Sequence, residues 1–180
     1  MEISKIDSML FRRKGDDDHS VGYQDKYVDH YLEQYRLYLH IFNTTVERRQ
    51  KSNEFFVGIN TAIMAFIGYI EVKEVSALSN APIVFLIVPL IGISICYSWL
   101  LIIKSYKNLN RAKFKVIHRL ETNLPTENFE TEWNLLGQGK DPTKYRTLSS
   151  IERNIPIIFA LFYAVIFIAN IPFGILARLF

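Results

Sequence analysis

The sequence predicts an all-α polytopic membrane protein with three transmembrane helices, the first two extended into the cytoplasm as a long helical hairpin. Three observations carry this reading. From Phe55 to Ile70, from Ala81 to Ile103 and from Asn154 to Ala177 there is no Asp, Glu, Lys or Arg, while charges fill almost everything else. The segments that abut the first two runs repeat apolar residues at helical spacing. Lys and Arg are unevenly shared: nine precede the first run, one (Lys73) lies between the first and second, ten lie between Lys104 and Arg153, and one (Arg178) follows. The mean hydropathy of +0.09 averages these opposed blocks and describes neither.

Residues 1–21, with FRRKGDDDHS at their centre, mix charge with glycine and lack periodicity, which predicts a mobile tail. No apolar stretch follows the two arginines, so the first span serves as its own insertion signal. Asp16, Asp17, Asp18 and His19 are consecutive residues on that tail and read as solvated charge, not as a metal sphere. Residues 22–53 form an amphipathic helix: Tyr23, Tyr27, Tyr31, Tyr35, Tyr38 and Phe42 recur at steps of 4, 4, 4, 3 and 4, with Asp29, Glu33, His40 and Glu47 on the opposite side. An aromatic stripe at this spacing is a packing face, because tyrosine buries its ring while its hydroxyl finds a polar partner. Nothing breaks the helix before the first span, 54–72, so it projects about 48 Å.

Sixteen uncharged residues in that first run cover about 24 Å against roughly 30 Å of hydrocarbon, which puts Glu54 and Glu71 at the two interfaces. The second span, 81–103, crosses outright and continues as a helix over 104–124. There Tyr106, Leu109, Val116, Ile117, Leu120 and Leu124 line one face and Lys104, Lys107, Arg111, Lys115 and His118 the other. Lys113 falls inside the apolar face, where it either snorkels to an edge or pairs with an acid of the first helix. Residues 125–153 return to the membrane through a short helix, with Glu127 and Glu130 in its first turn and Gly137 or Gly139 at its end. Ser149 and Glu152 have the spacing of a capping box opening the third span, 154–177, which Pro156 and Pro172 bend near its ends.

The excess of Lys and Arg places the N-terminus and the long connection in the cytoplasm and the C-terminus in the periplasm or outside the cell. Cys96 is the single cysteine and excludes a disulfide framework. No nucleophile with its base, no phosphate loop and no helical metal spacing is present, so no catalytic, cofactor or metal residues are assigned and the chain reads as no enzyme. If a cleft exists, Trp133, Arg119 and Glu121 meet near the tip of the second helix. The spans hold Asn60, Thr61, Ser94, Ser98 and Asn170 but no ionisable group, which argues against a proton-driven pump and leaves a passive pore in an oligomer as the alternative. Gly58 with Ala62, Gly92 with Cys96 and Ala160 with Ala164 are small pairs that permit close helix packing.

The cations of the second helix are tethered to the bilayer at one end, which excludes nucleic acid as their partner. Lys104 and Lys107 lie within reach of anionic headgroups, whereas Arg111 and Lys115 stand roughly 10 to 17 Å out and pair with Glu127 and Glu130 of the return segment. Together with Trp133 these are the candidate interaction residues, presented to an unknown cytoplasmic partner.

The segments YKNLNRAKFKVIHRLETNLP, NFETEWNLL and IERNIPIIF together resemble the RipA family of octameric bacterial membrane proteins, from about Tyr23 onward. The resemblance implies a small inner-membrane protein assembling as a homo-octamer, in a family named for intracellular proliferation of a pathogen, with no catalytic residues to carry over. The function read for the chain is a non-enzymatic scaffold or partner-binding complex, with an oligomeric channel or pore as the alternative. A more distant similarity is to two-span SLATT-type effectors, from which the third span departs.

Overall fold

The computed structural model describes Ile6, Leu10 and residues 20–73, 82–141, 143 and 145–171, with backbone alone for 20–25, 72, 73, 82 and 83. The Asp16 to His19 group, most of the expected tail, the outer loop at 74–81 and the chain from Pro172 onward lie outside the described residues. The elements are α1 (Ser20–Lys73), α2 (Pro82–Glu121), α3 (Asn128–Leu135), α4 (Leu148–Glu152) and α5 (Asn154–Ala169). No strand occurs among the described residues. Three helical stretches are long and apolar enough to cross a membrane, within Lys26–Glu71, Val84–Glu121 and Leu148–Ala169. The first two helices pair as a hairpin.

Prolines punctuate this order. Pro82 opens α2, where a missing N–H has no intrahelical partner to lose. Pro89 is buried inside α2 without ending it, as proline is tolerated in a membrane helix whose neighbours cover the freed carbonyl. Pro156 has the opposite effect. It has no N–H for the carbonyl of Glu152, and α4 accordingly stops at Glu152 before α5 resumes at Asn154.

The chain divides into two compact units. One comprises the described residues through Glu47 together with Asn108–Tyr145. Within it the aromatic stripe of α1 faces α2: Tyr31 is buried, and the Phe42 ring meets Phe114 edge-on at 5.0 Å. Phe114 also touches Phe129 of α3 at 6.3 Å. Tyr27 departs from the expected stripe and is 47% exposed. Lys113 is half-buried and makes no ion pair among the described residues; its ammonium sits 5.3 Å over the ring of Tyr38, a cation–π contact.

The other unit comprises Arg48–Lys107 and the residues from Arg146 onward. Its α2 face is a heptad seam, with Pro89, Gly92, Cys96, Trp99 and Ile103 all buried at alternating steps of 3 and 4. Facing it, α1 buries Asn60, Ile67 and Ile70. The Trp99 ring stacks on Phe56 at 5.5 Å and its Nε1 donates to Asn53 Oδ1 at 2.9 Å. Asn60 is fully buried. Its Nδ2 donates to the Phe56 carbonyl at 2.7 Å, its Oδ1 accepts from Cys96 Sγ at 3.3 Å, and its own carbonyl accepts from Tyr163 Oη at 3.2 Å. Hydrocarbon offers no alternative partner to such groups, so each polar seam position fixes the register of the hairpin and of α5 against it. Ile67, Cys96 and Tyr163 form the centre of this core. The far side of α5, with Leu161, Phe162, Val165 and Ile168, is exposed and purely apolar, as a lipid-facing surface must be.

Candidate functional site

Two polar clusters organise the chain, one in each unit. In the membrane-core unit, Arg49 is only 7% exposed although arginine is almost never buried without a partner. Its Nε donates to Glu152 Oε2 at 3.0 Å, its Nη2 donates to Ser149 Oγ at 3.0 Å, and the same Nη2 forms a short ion pair with Glu152. The expected capping box is therefore not made. Ser149 and Glu152 are one helical turn apart on α4, and both turn to the guanidinium. The N-cap of α4 is Thr147, whose carbonyl accepts from the Ser150 amide and hydroxyl, each at 2.8 Å. Arg49 continues the seven-residue phase of Tyr31, Tyr35, Tyr38 and Phe42, and that phase is the signal by which sequence alone would have found it.

In the other unit Glu121, the last residue of α2, is fully buried. Its carboxylate accepts from the Phe129 amide at 3.1 and 3.2 Å, from the Glu130 amide at 3.3 Å and from Tyr35 Oη at 3.1 Å. These are the second and third amides of α3, whose own N-cap, Glu127, makes no side-chain cap. Glu121 thus caps α3 across the turn at Thr122–Glu127, where a negative charge also meets the positive end of the helix dipole. Tyr31 Oη donates to the Leu120 carbonyl at 2.5 Å and accepts from Asn123 Nδ2 at 3.3 Å, tying off the other side of the turn. Burial, then the Glu121 carboxylate, pushes the Tyr35 hydroxyl up to about 12; burial also raises Tyr31 and Tyr38. All three tyrosines precede the first uncharged run.

Replacing Glu121 by alanine leaves two part-buried amides and one part-buried hydroxyl without this acceptor. The expected loss is about 2 kcal/mol, with faster hydrogen exchange at Phe129 and Glu130. Glutamine, which keeps one acceptor oxygen, should fall between alanine and the native residue on both measurements.

The residues expected from sequence to interact are placed separately. Lys104, Lys107 and Arg111 are exposed and make no ion pair among the described residues; Lys115 is exposed as well. Glu130 pairs with His118 Nδ1 at 2.6 Å, and Glu127 is exposed. Trp133 rests edge-on against Tyr145 at 6.4 Å, Arg119 donates to Thr122 Oγ1 at 2.9 Å, and Glu121 faces α3, so the three give no common cleft. A shallow hollow of about 370 Å³ beside α2 is lined by Phe56, Ile87, Leu90, Ile91, Ser94, Ile95 and Ser98. Both serine hydroxyls are spent on their own helix, bonding the carbonyls of Leu90 and Ser94. Among the described residues no group of three or more His, Cys, Asp or Glu side chains converges.

Residues 32–172 match the octameric membrane protein family (8xMP). The match takes in α2 to α5 and most of α1. No curated protein and no solved structure matches the chain.

Proposed function

The chain belongs to the octameric membrane protein family, and from that premise we propose that it is a homo-octameric, non-enzymatic scaffold of the bacterial inner membrane that presents a helical assembly to a cytoplasmic partner. Membership places it in a membrane and implies self-association. The kinship with RipA proteins is proposed on the quoted segments, which lie within the matched region, and the cytoplasmic placement of the α1 and α2 extensions on the excess of Lys and Arg at that end.

One observation carries the scaffold reading. Outside the uncharged run, α1 leaves Val28 and Leu32 exposed on one flank of its buried stripe, at 64% and 36%, and Leu37 and Ile41 on the other, at 53% and 52%. Apolar side chains in paired positions away from hydrocarbon mark surfaces that another protein covers. Two unlike flanks on one helix suit a heterologous contact, repeated from copy to copy until the ring closes. Leu37→Glu with Ile41→Glu should shift the purified protein from octamer to smaller species in light scattering while its helix content is unchanged. An octamer that survives both substitutions removes the reading.

A second reading, an oligomeric channel, is favoured by the outward face of α1 inside the span. Gly58, Thr61, Ala62 and Ala65 are all exposed, small or hydroxyl-bearing, and no heavy atom lies within 4 Å of a Cβ built on Gly58. In an octamer that face either packs against a neighbour or lines an axial path. Single-channel conductance of purified protein in planar bilayers separates the two, since a packed face gives none.

A further inference from the structure

We propose that Arg48, Lys51, Lys104, Lys107, Arg146 and Arg153 form a collar that binds the phosphate headgroups of anionic phospholipid. All six belong to one compact unit, all are exposed, and none makes an ion pair among the described residues. They come from three separate places in the chain, yet five of them crowd the same end of the three uncharged runs. Lys51 lies four residues and Arg48 seven residues before Phe55, Lys104 directly follows Ile103, Lys107 lies three residues further, and Arg153 directly precedes Asn154. Along a helix these separations are about 10 Å or less, within one Debye length of a charged headgroup layer. Arg111 lies beyond that distance and in the other unit.

Among the described residues acidic groups do not balance this end. Arg49 and Glu152 consume each other, Glu54 is held by Gln50 Nε2 at 3.0 Å, and Glu47, exposed one residue before Arg48, makes no ion pair among the described residues, so six exposed cations face two exposed carboxylates. A dissolved polyanion does not fit the surroundings. Phe55, Leu101 and Ile155, within a turn or so of the cations, are 63%, 49% and 38% exposed. A ligand that satisfies both must offer a phosphate beside a hydrocarbon chain, and a phospholipid with net negative charge does so. The positions of the cations on all three membrane helices also mean that bound headgroups link α1, α2 and α5 from outside, at the level where Arg49 and Glu152 link α1 to α4 from inside.

The test compares bound phosphatidylglycerol with bound phosphatidylcholine on the full-length protein in mixed-lipid nanodiscs, read with spin-labelled lipids of each type at low and at high salt. The native protein should prefer phosphatidylglycerol, and high salt should weaken the preference. Lys51→Gln, Lys104→Gln and Lys107→Gln combined should lower the ratio by roughly fivefold or more, whereas the same three positions changed to arginine should keep it. A ratio unchanged by the glutamine substitutions, or insensitive to salt, overturns the collar. The proposal rests on the membrane placement and not on the scaffold reading. Particle size is measured in the same samples, and a preserved lipid preference in a non-octameric particle supports the collar while defeating the scaffold.

Discussion

Glu152→Ala is expected to destabilise the protein by about 3–5 kcal/mol, the usual result of stripping a buried charge of its counter-ion. Arg49 would keep only the bond to Ser149 Oγ, with a guanidinium that cannot lose its proton and is only 7% exposed. The pair itself adds much less than this figure implies. Taking both charges out of water is expensive, and their attraction offsets little more than that. The double replacement Arg49→Met with Glu152→Leu should therefore unfold near the native midpoint, or above it. Free energies of unfolding from dodecyl sulfate titration of the four combinations give the coupling directly. Arg49→Lys should be intermediate, because an ammonium meets Glu152 at one point and lacks the second prong for Ser149. If the Glu152→Ala protein unfolds within about 0.5 kcal/mol of the native one, as surface substitutions do, the guanidinium reaches solvent and the grip on α4 is not structural.

The cluster shows why parts of this molecule can be read from sequence and parts cannot. Three crossings follow from runs without a formal charge, since hydrocarbon enforces that composition residue by residue. The hairpin follows from the phase of Tyr31, Tyr35, Tyr38 and Phe42, which is a local property of one helix. Ser149 and Glu152 also present a local pattern, but Arg49, a hundred residues away in the chain, competes for the same oxygens, and a charge-assisted pair outweighs a neutral cap. Glu121 was equally hidden. Sequence places it with Trp133 and Arg119 near the tip of the second helix, but not under the amides of α3, which a turn of six residues brings over it. Lys113 was recognised as misplaced in its apolar face, yet the Tyr38 ring that accepts it belongs to a face read only as hydrophobic. In each case what escaped the sequence was a long-range partner, and only Lys113 stood out beforehand as a polar group inside an apolar face.

Gly92→Ala is expected to detach α5 from the hairpin, although it adds one methyl group. A Cβ at this position would lie 2.5 Å from Cε2 and Cζ of Tyr163 and 2.7 Å from its Cδ2. Relief by a side-chain swing is closed off. Tyr163 is fully buried, it packs with Ile67 and Cys96, and its hydroxyl is tied to the Asn60 carbonyl. The strain must then move backbone, which puts the effect at or above the upper end of ordinary overpacking, about 3 kcal/mol. Gly68→Ala supplies the control within the same membrane core, since no heavy atom lies within 4 Å of its added Cβ and alanine is the better helix former. Tyr163→Leu should cost less by itself than Gly92→Ala, and in combination should recover part of the loss, a coupling of about 1–3 kcal/mol in the rescuing direction. The readout is protection of the α4 and α5 region from hydrogen exchange alongside the unfolding free energy. Equal stabilities for the two alanine variants would mean that Tyr163 is not seated on Gly92.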